Sequence, residues 1–180
     1  FMQNDEKNFL QSGAHDPEKD IRSLKIAKDL YEQYSKRNKF IDCAKIADRT
    51  NFSIEQIMIV RDYIFENCHW RRDGRFRTFD PDYAMAESWG RLTEKNFAHI
   101  EPHDVLMLQH ELYEITILLQ NPDYSVTTAH EIAEQEYNYS KASREYYAKI
   151  FSKKKKTSNT DASSLDAKPV NAFLGNNQKK

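Results

Sequence analysis

Apolar residues recur at helical spacing through most of the chain, with breaks at prolines and at one arginine-rich stretch. Ile21, Leu24, Ala27, Leu30, Tyr31 and Tyr34 share one face of a first amphipathic helix. Asp16-Pro17 begins it with a cap and a first-turn proline. A short second helix is expected over residues 42–49. Ser53 caps a third, with Gln56 completing a capping box and Ile57, Val60 and Ile64 on one face. These two helices, joined by Thr50-Asn51-Phe52, imitate a helix-turn-helix, a pairing common in helical proteins that bind no DNA. Residues 68–79, CHWRRDGRFRTF, break the helical period. Asp73-Gly74 is a hairpin-turn signal flanked by Trp70 and Phe76, which makes this stretch the strand candidate.

Asp80-Pro81 opens a helix to about residue 94, with Tyr83, Ala86 and Trp89 on one face. Pro102 opens the next, which ends near Asn121-Pro122. Ser125 caps the last helical stretch, and Ser140 can restart it after a break near Asn138. The expected fold is all-α, a compact multi-helix domain over residues 16–151 with one small β-hairpin. A disordered lead covers 1–15, and a disordered Lys/Ser/Asn-rich tail covers 152–180.

Composition narrows this picture. A length of 180 residues with 39% apolar residues suits one domain plus a tail. No apolar run is long enough for a membrane-spanning helix, so no membrane partner is expected. Residues 1–12 lack the basic-then-apolar pattern of a signal peptide. Two cysteines, Cys43 and Cys68, give neither a disulfide framework nor a Cys-rich zinc site. The net charge of −1 hides an asymmetry. Residues 152–180 hold seven Lys against two Asp, or +5, which leaves 20 basic and 26 acidic residues, or −6, elsewhere. A body of that sign lacks the broad basic surface of most nucleic-acid binders.

The helix beginning at Pro102 carries the candidate chemistry. Val105, Leu108, Leu112, Ile115 and Leu119 form a packing stripe, and His103, His110 and Glu114 lie opposite within an arc of roughly 40°. Leu106, Met107, Tyr113, Ile117 and Leu118 flank that polar stripe, so the helix is apolar nearly all round and reads as buried. Burying two imidazoles and a carboxylate is costly without partners. They meet a metal, join a hydrogen-bond network, or line a cleft. His110 and Glu114, one turn apart, can share an ion, and His130 on the next helix can add a third ligand if the register is offset. Imidazole with carboxylates suits zinc or manganese. The run HELYE imitates the zinc-peptidase HExxH, one histidine short, with Glu111 in the base position.

The catalytic candidates are therefore His103, His110, Glu111 and Asp104, although Asp104 also suits a structural place in a first helical turn. Arg71, Arg72, Arg75 and Arg77 on the hairpin can hold phosphates, and Arg61 can reach the same cleft or pair with a core carboxylate. A hydrolytic nuclease is the first reading and a metallopeptidase the second. The third is a non-catalytic binding module, docking through Tyr137, Tyr139, Tyr146 and Tyr147.

Five stretches, IADRTNFSIEQI, FDPDYAMAESWGRL, IEPHDVLMLQHELYE, AHEIA and YNYSKASREYY, carry a resemblance. From Ile46 to about Tyr147 the chain resembles an α-helical domain found at the C-terminal ends of phage minor head (minor capsid) proteins and bacterial polymorphic toxins. The resemblance implies an effector secreted or delivered into a target-cell cytoplasm and held in check by a cognate immunity protein. The family's shared polar positions fall on Asp80, Asp82, Ser88, Trp89, Arg91, His103, Asp104, His110, Glu111, Glu114 and His130, which adds Arg91 to the substrate-binding candidates. Tyr63 stands where relatives carry a histidine. The resemblance implies an effector more strongly than it implies any one reaction.

Overall fold

Capping side chains set most of the helix boundaries. The structure, a computed structural model, describes residues 21–94 and 99–162. Among them, α1 spans Ile21–Lys36 and α2 Lys39–Arg49. Asn38 Oδ1 accepts from the Ile41 amide at 3.0 Å, so α2 starts three residues earlier than its apolar pattern suggested. The expected capping box is present at the start of α3, Ile54–Phe65: Ser53 Oγ accepts from the Gln56 amide and Gln56 Oε1 from the Ser53 amide. Strands β1, His69–Trp70, and β2, Phe76–Arg77, pair antiparallel with Trp70 opposite Phe76. Gly74 supplies the positive φ (75°) of the turn between them.

Helix α4, Tyr83–Thr93, is capped by Asp82 and not by Asp80 as expected. Arg77 draws Asp80 away, with Nη1 donating to Oδ1 at 2.6 Å. Helices α5, Pro102–Gln120, and α6, Val126–Glu136, follow, the latter capped by Ser125. The expected break then separates α6 from α7, Tyr139–Ala162, but Asn138 makes the new cap rather than Ser140. Helix α7 continues past the boundary placed at residue 151, while the lead at 1–15, the helix start expected at Asp16-Pro17 and the rest of the tail, 163–180, lie outside the described residues. The chain divides into two compact units, Phe1–Tyr146 and Tyr147–Lys180, the second containing the rest of α7.

In the first unit α5 is the central element, with α3, α4 and α6 packed on it and α1 and α2 packed on α4. Ile57, Val60 and Ile64 of α3, Trp89 and Leu92 of α4 and Met107 and Leu108 of α5 are buried among them. No helix among the described residues is long and apolar enough to cross a membrane.

Arg61 is buried completely and serves the end of α1. Its Nη2 donates to the carbonyls of Tyr34 and Ser35 at 2.7 and 3.2 Å, and Nη1 bonds Glu66. The last carbonyls of a helix lack partners within it. Arg61 supplies them, which removes it from the substrate-binding set.

Candidate functional site

The polar stripe of α5 is buried, and part of its apolar stripe is not. His103, Asp104, His110, Glu111 and Glu114 are among the buried residues of α5, whereas Leu119 is 77% exposed and Val105 and Leu112 are only half-buried. Burial of the polar stripe is as expected, and the partial exposure of the packing stripe is the difference. The polar residues can face inward because α3, α4 and α6 each bring a partner to them.

One group gathers around His110, at the floor of a cavity of about 220 Å³ between α5, α6 and the hairpin. His110 Nδ1 donates to the Tyr137 carbonyl at 2.9 Å, which turns Nε2 toward α6. There it meets His130 Nδ1 at 3.0 Å, so the register offset needed to bring the two histidines together is realised. Glu114 Oε2 lies 3.0 Å from His130 Nδ1 and 3.4 Å from His110 Nε2. The Tyr63 hydroxyl of α3 donates to the other Glu114 oxygen at 2.5 Å. Glu134, one turn beyond His130, brings Oε1 to 3.9 Å from both imidazoles and accepts from the Ser140 hydroxyl.

His110, His130 and Glu134 thus form a group that could hold a metal ion. Glu114 stands closer to both imidazoles than Glu134 does. Three ligands at 2.0–2.1 Å from a tetrahedral ion lie roughly 3.3 Å apart, close to the spacing of His110 Nε2, His130 Nδ1 and Glu114 Oε2.

Charge is distributed unevenly across the group. Burial pulls the His110 imidazole down, but the bond to Glu114, the charge of Glu111 and the Tyr137 carbonyl together carry it up to about 9. His130 is raised for similar reasons, again against burial. Burial also opposes the Glu114 charge, yet the bonds from His110, His130 and Tyr63 hold its carboxyl below the usual range. Burial and the neighbouring Glu114 push Glu111 up. Burial pushes the Tyr63 phenol far above its ordinary value, so it remains a donor. A metal binding here would displace protons, so its affinity would rise with pH.

A second group lies apart. Arg91 forks onto Asp104, with Nε to Oδ2 at 2.8 Å and Nη2 to Oδ1 at 2.6 Å. Nη2 also donates to Ser88 Oγ at 3.2 Å and to His103 Nε2 at 2.9 Å. Because a guanidinium cannot accept, His103 must receive this bond as the neutral ring. Asp104 Oδ2 accepts in turn from the Glu101 amide at 2.8 Å. Tyr146 covers the assembly, its ring 4.4 Å from that of His103 and 5.3 Å from the Arg91 guanidinium carbon. None of Arg91, His103 or Asp104 lines the cavity. The structure therefore separates His103 and Asp104 from His110 and Glu111, with which the sequence had grouped them as catalytic.

A pH effect follows from this second group. Burial holds His103 down at about 4, whereas an unfolded histidine titrates near 6.5. Between those values the unfolded chain binds a proton that the folded one refuses. The contribution of His103 is constant above about pH 6.5 and is lost as the pH falls toward 4. Thermal melts should show His103→Gln losing less stability than the wild type across that window. Parallel curves would contradict the assignment.

Of the six arginines expected to bind substrate, two line the cavity. Arg71 lies over the Phe79 ring at 4.5 Å and Arg72 is exposed at the rim. Arg75 and Arg77 are engaged by Asp73 and Asp80 and do not line it, while Arg61 and Arg91 serve the interior. Of the tyrosines expected on a docking surface, Tyr139 and Tyr147 are buried, Tyr137 is half-buried, and the Tyr146 ring lies 4.4 Å from that of His103.

Two participants, Glu134 and Tyr63, had no site role from sequence. A signal for the first was present: HELYE at 110–114 returns as HEIAE at 130–134, so α5 and α6 offer the same His-Glu-x-x-Glu face to each other. For Tyr63 the resemblance marked the position but not the contact, because nothing local pairs an α3 phenol with an α5 carboxylate. Comparison with known protein families, curated proteins and solved structures finds no match. The reading of the site therefore rests on its geometry.

Proposed function

We propose that this domain is a divalent-metal-dependent hydrolase of the effector type, most at home as a nuclease. The carrying observation is the triangle of His110 Nε2, His130 Nδ1 and Glu114 Oε2, with edges of 3.0, 3.0 and 3.4 Å on the cavity floor. Zinc or manganese suits that donor set, with Glu134 available as a further ligand. Glu111 lines the same cavity, placed to take a proton from an attacking water, and Arg71 and Arg72 at its rim can hold the phosphates on either side of the scissile one. The resemblance to phage minor-head and polymorphic-toxin domains supports delivery into a target-cell cytoplasm and a cognate immunity protein as partner.

A metallopeptidase is the second reading, favoured by Glu111 following His110 as in HExxH. Two measurements test the proposal. Expression of the protein in bacteria should arrest growth. The purified protein, incubated with RNA, DNA and casein with and without chelator, should degrade nucleic acid only while metal is present. Cleaved casein would replace the first reading with the second. A harmless protein without activity under any metal would remove both.

A further inference from the structure

The hairpin places an aromatic side chain where the core gains nothing from it. The chain has two tryptophans: Trp89 is fully buried, while Trp70 is 69% exposed. Across the strand pair Phe76 is 59% exposed, its ring 5.3 Å from that of Trp70. Together they form a two-ring surface at the entrance of the His110 cavity, which Trp70 lines alongside Arg71 and Arg72.

Its position is held firmly. His69, the residue before Trp70, lies between the rings of Tyr63 and Phe79 at 4.5 and 4.4 Å and bonds the Tyr63 carbonyl through Nε2 at 3.0 Å. The Arg71 amide donates to the Arg75 carbonyl at 2.8 Å, closing the turn. Tyr63 is the residue whose hydroxyl holds Glu114. Tyr63 therefore ties both the strand that carries Trp70 and the Glu114 carboxylate to α3.

The charges on the hairpin are also unequal. Asp73 and Asp80 engage Arg75 and Arg77, whereas Arg72 makes no ion pair among the described residues.

We propose that this rim is a stacking platform for an unpaired base, and that the substrate is single-stranded nucleic acid. Trp70 takes a base on its face, with Phe76 extending the surface, and Arg72 and Arg71 hold the neighbouring phosphates. A duplex keeps its bases stacked on one another, so only an unpaired base can lie on the indole. The proposal rests on the nuclease reading for the choice of nucleic acid, and it names the strand form on which that activity works.

The test measures binding without turnover. Chelator-treated protein is titrated with a short single-stranded RNA, with DNA of the same sequence, with the annealed duplex and with inorganic polyphosphate, and tryptophan emission is followed. Because Trp89 is buried, Trp70 is the indole open to quenching. Both single strands should quench and the duplex should bind markedly more weakly. Trp70→Ala, followed by competition against labelled RNA, should weaken single-strand binding roughly 5- to 150-fold, as expected for one stacked base. Trp70→Phe should recover most of that loss. Arg72→Ala should weaken single strands and polyphosphate alike, and neither variant should shift the melting temperature, since both side chains are exposed. Equal binding of duplex and single strand, unchanged binding by Trp70→Ala, or an indole that responds only to a protein partner would each overturn the proposal. Quenching without any cleavage would instead remove the nuclease reading and leave the platform standing. Cleavage with no dependence on Trp70 would do the reverse.

Discussion

Replacing His110 with alanine is expected to lower metal-dependent cleavage by roughly three orders of magnitude, or about 4 kcal/mol of transition-state stabilisation. The same change should erase the protection that metal gives against heat. An ion at a hundred times its dissociation constant stabilises a fold by about 2.7 kcal/mol, so the wild type should melt visibly higher with zinc or manganese than with chelator. His110 contributes through both ring nitrogens: Nδ1 is fixed by the Tyr137 carbonyl, and Nε2 faces His130 and Glu114. Alanine therefore also removes one of two donors to the Tyr137 carbonyl, which keeps the Tyr139 amide at 2.8 Å.

Glu114→Gln separates that structural loss from the chemical one. It keeps the size of the side chain and an oxygen for the Tyr63 hydroxyl, but it removes the charge that an ion needs. Both variants should retain the helical circular-dichroism spectrum and lose the metal-dependent shift. If neither metal nor chelator moves the wild-type melt, a tightly held ion is excluded, and His110 and Glu111 must act as a metal-free acid and base or as part of a network.

The elements governed by short-range rules were legible in the sequence. The Ser53–Gln56 box, the Asp73-Gly74 turn and the Pro102 start each depend on residues within a few positions of one another, and each stands where expected. The polar stripe of α5 was legible too, because helical geometry alone aligns His103, His110 and Glu114. Its partners were less so. Which side chains meet a buried stripe depends on the elements packed around it, and here they are Tyr63, Arg91 and His130 from three other helices. For the same reason the stripe divided into two groups. One helix face carries His103 and His110 two turns apart, but α4 claims the first and α6 the second.

The clearest consequence of that division concerns Arg91. As a substrate-binding residue it would be lost with little change in stability. As the partner of Asp104 it cannot be. Asp104 is fully buried, and its two oxygens receive the Arg91 fork. Arg91→Met keeps most of the side-chain length and leaves that carboxylate buried without a counter-charge. Breaking a buried pair in this way costs about 3–5 kcal/mol, which corresponds to a fall in melting temperature of roughly 6–20 °C for a domain of this size. His103 and Ser88 lose a donor at the same time, which moves the effect toward the upper end. The double variant Arg91→Met/Asp104→Asn removes the stranded charge while an amide oxygen still accepts from Glu101. It should recover a substantial part of the loss, and the double-mutant cycle gives the coupling between the two side chains. Arg72→Ala supplies the contrast, with an unchanged melt and weakened nucleic-acid binding. An Arg91→Met protein that melts like the wild type and yet fails to bind or cleave its substrate would return Arg91 to the substrate site and contradict its assignment to the interior.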